Sequence, residues 1–169
     1  LIGLKSGQLA QVYNWFISCM ICGWIYCLGR KLGLKKSICL IGAILFYSNT
    51  IMSNMVSSGT IELGSCLFFI ASIVMFSDFI THKKIQYLYV SSFFMSIFAA
   101  TKLPFFVFAL VIMVFLFYFF WNDIKKIKYS HIALYPLIIL SLPSLWFLKA
   151  YLEFGNPFFP FFTKSFISG

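Results

Sequence analysis

The chain is predicted to be an all-α, polytopic transmembrane helix bundle of about six helices. Three observations predict this. Hydrophobic residues make up 62% of the 169 and charged residues only 10%, with a mean hydropathy of +0.96. A soluble domain of this length cannot bury so much apolar surface. The apolar residues fall in runs of about 20, the length that crosses a hydrocarbon core of about 30 Å. The basic residues gather in short clusters between those runs. That placement excludes nucleic acid as the partner behind the net charge of +9, because it follows membrane topology instead.

Taken in order, the first predicted span covers 9–29. It holds Cys19, Cys22 and Cys27, and its Cys19-x-x-Cys22 spacing lies mid-helix with no second pair and no nearby histidine, so these are lipid- or core-facing thiols. Spans at 37–55 and 61–80 follow. The region 88–121 is nearly continuous, but as one helix its 34 residues would run about 51 Å. It is broken at Thr101-Lys102-Leu103-Pro104, where proline disfavours helix at the preceding residue and a mid-membrane lysine is costly. Two helices, 88–101 and 103–121, are therefore expected, the first only about 21 Å long. The last span is 131–152, and an outer-face loop covers 153–169. The whole of 1–169 is treated as one transmembrane domain.

Charge supplies sidedness. Arg30, Lys31, Lys35 and Lys36 form one loop, Lys83 and Lys84 a second, and Lys125, Lys126 and Lys128 a third. If all three face the cytoplasm, an even number of crossings separates each pair, which requires the turn at Lys102. Both ends of the chain then lie outside. A start at Leu1 without a secretory leader pattern leads to the expectation of a fragment whose natural N-terminal extension adds an odd number of helices.

The remaining polar groups cluster at the predicted outer ends: Gln8, Gln11 and Asn14; Ser48 to Asn54; Ser57, Ser58, Thr60 and Glu62; Lys102; and Lys149, Glu153 and Asn156. Intramembrane polar groups normally face a bundle interior or a wet cavity, so a shared hydrophilic pocket open to the outside is expected. Glu62 has two readings: a first-turn acid behind a Thr60 N-cap, or a carboxylate lining the pocket. Lys102 is either a snorkelling turn lysine or a phosphate ligand in low dielectric. Lys149 is either an i,i+4 partner of Glu153 or a second phosphate contact. His82 and His131 lie by the inner loops, and Asp78 is a helix-end acid there. No Gly-rich phosphate loop, HExxH or cysteine metal spacing occurs, so no cofactor is expected, while a divalent cation is compatible with the sequence but has no motif behind it.

The stretch Gly155-Asn156-Pro157-Phe158-Phe159-Pro160-Phe161-Phe162 follows the last span. Glycine and asparagine allow a sharp reversal and the prolines hold an extended path, which reads as a rigid lip anchored in the outer interface. The longer run from Trp146 to Phe161 resembles the W-x-x-x-x-Y-x-x-x-G-N-P-x-x-P-F segment of bacterial GT-C glycosyltransferases, of the protein mannosyltransferase-like and aminoarabinose-transferase-like kinds. Ala99-Ala100-Thr101-Lys102 resembles their small-residue–Thr–Lys turn. Glu62 falls where they carry an acid at a helix start.

The resemblance implies a GT-C-like fold in the bacterial inner membrane. It also implies sugar transfer from a polyprenyl-phosphate-linked donor to a lipid, glycan or protein acceptor on the non-cytoplasmic face. On that reading Lys102, with Lys149 and Asn156, binds the phosphate, and Glu62 is a catalytic acid that orients substrate. The family's catalytic aspartate belongs to a first outer loop that this chain lacks, so the chain alone is expected to be inactive. The competing expectations are a transporter or flippase of lipid-linked saccharides and a non-enzymatic membrane subunit. A transporter would show matching broken helices in two halves, and only the break at 101–104 is visible in the sequence.

Overall fold

A computed structural model describes residues 6–58, 60–125 and 127–158. Regular structure among them is entirely α-helical: α1 (Ser6–Lys31), α2 (Lys36–Tyr47), α3 (Thr50–Ser58), α4 (Glu62–His82), α5 (Ile85–Thr101), α6 (Leu103–Phe119), the single turn α7 (Trp121–Ile124) and α8 (Tyr129–Phe154). Lys126 and most of the expected outer loop, including Phe159 to Phe162, lie outside the described residues. Every predicted span coincides with helix. Helices α1, α4 and α8 are long and apolar enough to cross a membrane. The all-helical class is as predicted.

Two predicted spans differ in detail. The expected helix 37–55 is two helices, α2 and α3, bent by 56°. Ser48-Asn49-Thr50 supplies the reason, since short polar side chains compete for the backbone hydrogen bonds that would carry a helix onward. The Asn49 carboxamide oxygen accepts the Ile51 N–H at 2.9 Å and so caps α3. The Ser48 hydroxyl turns back to the Leu45 carbonyl at 3.3 Å. The expected short helix 88–101 begins earlier, at Ile85, which makes α5 17 residues and about 25 Å long. Its partner α6 is also 17 residues, shorter than the 18-residue minimum met by the three longer helices.

The chain falls into two compact units, Leu1–Phe94 and Met95–Gly169. In the first, α1 packs against α2, α3 and α4. Its core is Ile17 and Ile21 of α1, Met52 of α3, and Leu63 and Leu67 of α4. Where α1 approaches α2, a Cβ added at Gly29 would lie 2.8 Å from the Cys39 sulfur, so glycine is what allows the contact. Asn14 is 2% exposed and donates to the carbonyls of Met55 (3.1 Å) and Thr60 (3.0 Å). Gln11 donates to the Ser57 carbonyl at 2.7 Å. These carbonyls end α3 or follow it, where helix geometry leaves acceptors without intrahelical donors. Helices α4 and α5 meet through small residues. Ser72 and Ser91 each donate to the other's backbone carbonyl, at 2.8 and 2.9 Å. That is the polar, small-residue contact by which helices associate in lipid. At the lysine-rich ends, Lys31 of α1 pairs with Asp78 of α4, and His82 stands 3.9 Å from the same carboxylate oxygen.

In the second unit, Ser96 of α5 receives the Leu142 N–H of α8 at 3.2 Å. Pro143 follows directly and contributes no N–H of its own. Phe98 stacks on Phe105 across the Lys102 turn, with ring centroids 5.0 Å apart. Helix α6 is apolar on nearly all sides and buries only Ala109. Val107, Val111, Val114, Phe115 and Phe119 each stay more than half exposed. An apolar surface of that extent matches hydrocarbon rather than water as its neighbour.

Candidate functional site

The α5–α6 turn builds the candidate site in the second unit. Helix α5 ends at Thr101, whose hydroxyl donates to the Phe98 carbonyl at 2.7 Å. Lys102 is extended (φ −153°, ψ 146°), and its carbonyl accepts the N–H groups of Phe105 (3.0 Å) and Phe106 (3.1 Å), so it is the N-cap residue of α6. Pro104 sits in the first turn, where the lack of an N–H costs nothing. The Lys102 ammonium therefore adds to the positive end of the α6 dipole.

Beside this turn is a cavity of about 290 Å³. Ala99, Ala100 and Thr101 form one wall with Lys102, and the small alanines leave the space open. Pro143, Trp146 and Phe147 of α8 form the other. Phe106 also lines the cavity and meets Phe147 edge-on at 5.0 Å. Phe147 in turn meets Phe158 at 5.4 Å. The Asn-Pro-Phe turn is thereby attached to the cavity wall, and the rest of the expected lip lies outside the described residues. The combination is an apolar slot with one exposed ammonium. It suits a ligand with a hydrocarbon portion and an anionic group.

The other predicted site residues divide as follows. Lys149 and Glu153 form an i,i+4 pair at 3.8 Å, with side chains 71% and 51% exposed, beside a smaller recess of about 170 Å³. Such an exposed pair contributes little. Trp146 lines both this recess and the Lys102 cavity, which makes the two neighbours. Asn156 is 2% exposed, and its carboxamide oxygen accepts the Phe158 N–H at 2.9 Å. Gly155, at φ 65°, donates to the Tyr151 carbonyl at 2.8 Å and closes α8 in the left-handed conformation that glycine tolerates. Asn156 thus serves the turn that sets the rim. Glu62 lies in the first unit, in the opening turn of α4, and is not among the residues that line the Lys102 cavity. The expected Thr60 cap is replaced. The N-cap residue is Ile61, whose carbonyl accepts the Ser65 N–H at 3.2 Å, and the Thr60 hydroxyl is buried without a hydrogen bond among the described residues.

In the sequence Trp146 marks only the start of the resembling run. Its position on a cavity wall follows from spacing: Pro143, Trp146 and Phe147 stand at i, i+3 and i+4 and share one face of α8. Among the described residues, no group of three or more His, Cys, Asp or Glu side chains converges as a metal site. No family model, curated protein or solved structure matches the chain.

Proposed function

We propose that the chain is part of a membrane glycosyltransferase of the GT-C kind, which moves a sugar from a polyprenyl-phosphate donor to a lipid, glycan or protein acceptor on the non-cytoplasmic face of a bacterial inner membrane. One observation carries this reading. Ala99–Lys102, which resembles that family's turn, and Trp146-Phe147, the start of the second resembling stretch, line the same apolar cavity with a lysine at its edge. In the transfer, an acceptor hydroxyl oxygen bonds to the sugar's anomeric carbon. The bond from that carbon to the phosphate oxygen breaks, and the electron pair leaves with polyprenyl phosphate. In this reading Lys102 meets that developing charge, with Lys149 as a second cation. Asn156 holds the rim. The base that takes the acceptor proton is not assigned to any residue here.

The test is sugar transfer by the native, membrane-embedded protein from a polyprenyl-phosphate-sugar donor in vesicles. Lys102→Ala should lower turnover by about 100-fold or more, the usual scale for losing one preorganised charge contact. Lys102→Arg should recover part of it, and both variants should insert normally. Unchanged turnover in Lys102→Ala would remove the lysine from the mechanism.

A second reading, a flippase or transporter of lipid-linked saccharides, gains support from the bend between α2 and α3. It supplies one broken span, in addition to the helix break at Lys102. Movement of a fluorescent lipid-linked saccharide across vesicles without loss of its sugar would favour it.

A further inference from the structure

A second pair of cavities, sharing no residue with the Lys102 site, lies wholly in the first unit. One, of about 510 Å³, sits at the α2–α3 bend and is lined by the hydroxyl residues Ser18, Tyr47, Ser48, Ser53 and Ser57, with Met52 and Val56 behind them. The other, of about 360 Å³, runs between α1 and α2 past Cys19, Cys22, Leu40, Ala43 and Ile44. Tyr47 and Ser48 line both, so the apolar groove and the hydroxyl-lined cavity meet at the bend.

We infer that this joined groove binds an amphiphile whose headgroup is uncharged and rich in hydroxyls, such as a glycosylated diacylglycerol, with its hydrocarbon chain between α1 and α2. Two features select that class. Neither cavity is lined by a charged residue, so an anionic or cationic headgroup would find no counterion. The second feature is the direction of the hydrogen bonds. Ser18, Ser48 and Ser57 each donate to a carbonyl three residues back, those of Trp15 (2.7 Å), Leu45 (3.3 Å) and Asn54 (3.0 Å). Their protons are engaged, and what Ser48 and Ser57, the two exposed ones, offer a ligand is oxygen lone pairs. Sugar hydroxyls donate to such acceptors, whereas the phosphate group of an anionic lipid only accepts and would find no counterion here. The bend itself, where α2 stops and α3 is recapped by Asn49, is what brings Ser48 and Ser53 to one cavity. An irregular backbone at a polar cavity is the arrangement that an apolar surrounding tolerates.

The experiment uses the purified chain in phosphatidylcholine nanodiscs and a monoglucosyl diacylglycerol carrying a diazirine in one acyl chain. Photolabel should appear in the segment 19–48. Unlabelled monoglucosyl diacylglycerol should compete about tenfold better than phosphatidylglycerol or plain diacylglycerol of the same chains, the scale expected from one or two added hydrogen bonds. Ser48→Ala with Ser53→Ala should erase that preference while labelling persists. Ile44→Trp, at a 63% exposed position on the groove, should block labelling without disturbing helix content. Equal competition by all three lipids would mean an ordinary lipid shell and overturn the inference. So would a preference for phosphatidylglycerol.

Discussion

At Asn14 one carboxamide satisfies two backbone carbonyls at once, those of Met55 and Thr60. Replacing it with alanine leaves both without that donor in a site that is only 2% exposed. Asn14→Ala should therefore lower stability by about 1–2 kcal/mol in detergent unfolding. Tyr13→Ala, at a 64% exposed neighbour, should change little. The residue scale is also where sequence reading met its limits. Asn14 and Gln11 were expected on a pocket wall, because polarity in an apolar run announces a need for a partner without saying which. Their partners are carbonyls at or just past the end of α3, a short helix that the hydropathy pattern does not separate from α2. Lys102 was readable for the opposite reason: a lysine beside Thr and before Leu-Pro in a long apolar run has few placements, and the helix break expected there is present.

At the scale of elements, the predicted spans were legible because length and hydropathy suffice to find them. The bend at Ser48-Asn49 was not, since it rests on hydrogen bonds worth about 1 kcal/mol each rather than on hydropathy. Asn49 is the residue to change. Asn49→Ala together with Ser48→Ala should let 36–58 run as one straighter helix and lengthen the separation of spin labels at positions 38 and 57 by about 3–4 Å. An unaltered distance would assign the bend to packing around Met52 instead. The serine contact between Ser72 and Ser91 was likewise overlooked, because serine in an apolar run hardly lowers hydropathy yet lets two backbones approach closely.

For the molecule as a whole, charge placement carries the most information. The loops holding Arg30 to Lys36 and Lys83-Lys84 bracket helices whose ends are tied by the Lys31–Asp78 pair, so the first two basic clusters lie at one end of the first unit. The orientation we propose in the membrane rests on the positive-inside tendency. In a cysteine-free background, a cysteine at position 84 should be shielded from impermeant thiol reagents in intact cells. One at position 157 should react, and the reverse result would invert the proposed sidedness. The division into two units could not be read from the sequence. Helices that are apolar all round show no preferred face, and without a face, pattern cannot say which helix joins which neighbour.

The glycine at position 29 carries a genetic consequence. Because the Cys39 sulfur occupies the space that any larger residue there would need, the two positions should behave as a size-matched couple. Gly29→Ala alone should pry the first hairpin apart and reduce folded yield, and Cys39→Ala should act as its suppressor by vacating the sulfur's volume. A thiol-modifying reagent that reached Cys39 would mimic the damaging single change, which makes the joint between the first two helices a natural place to look for oxidative injury.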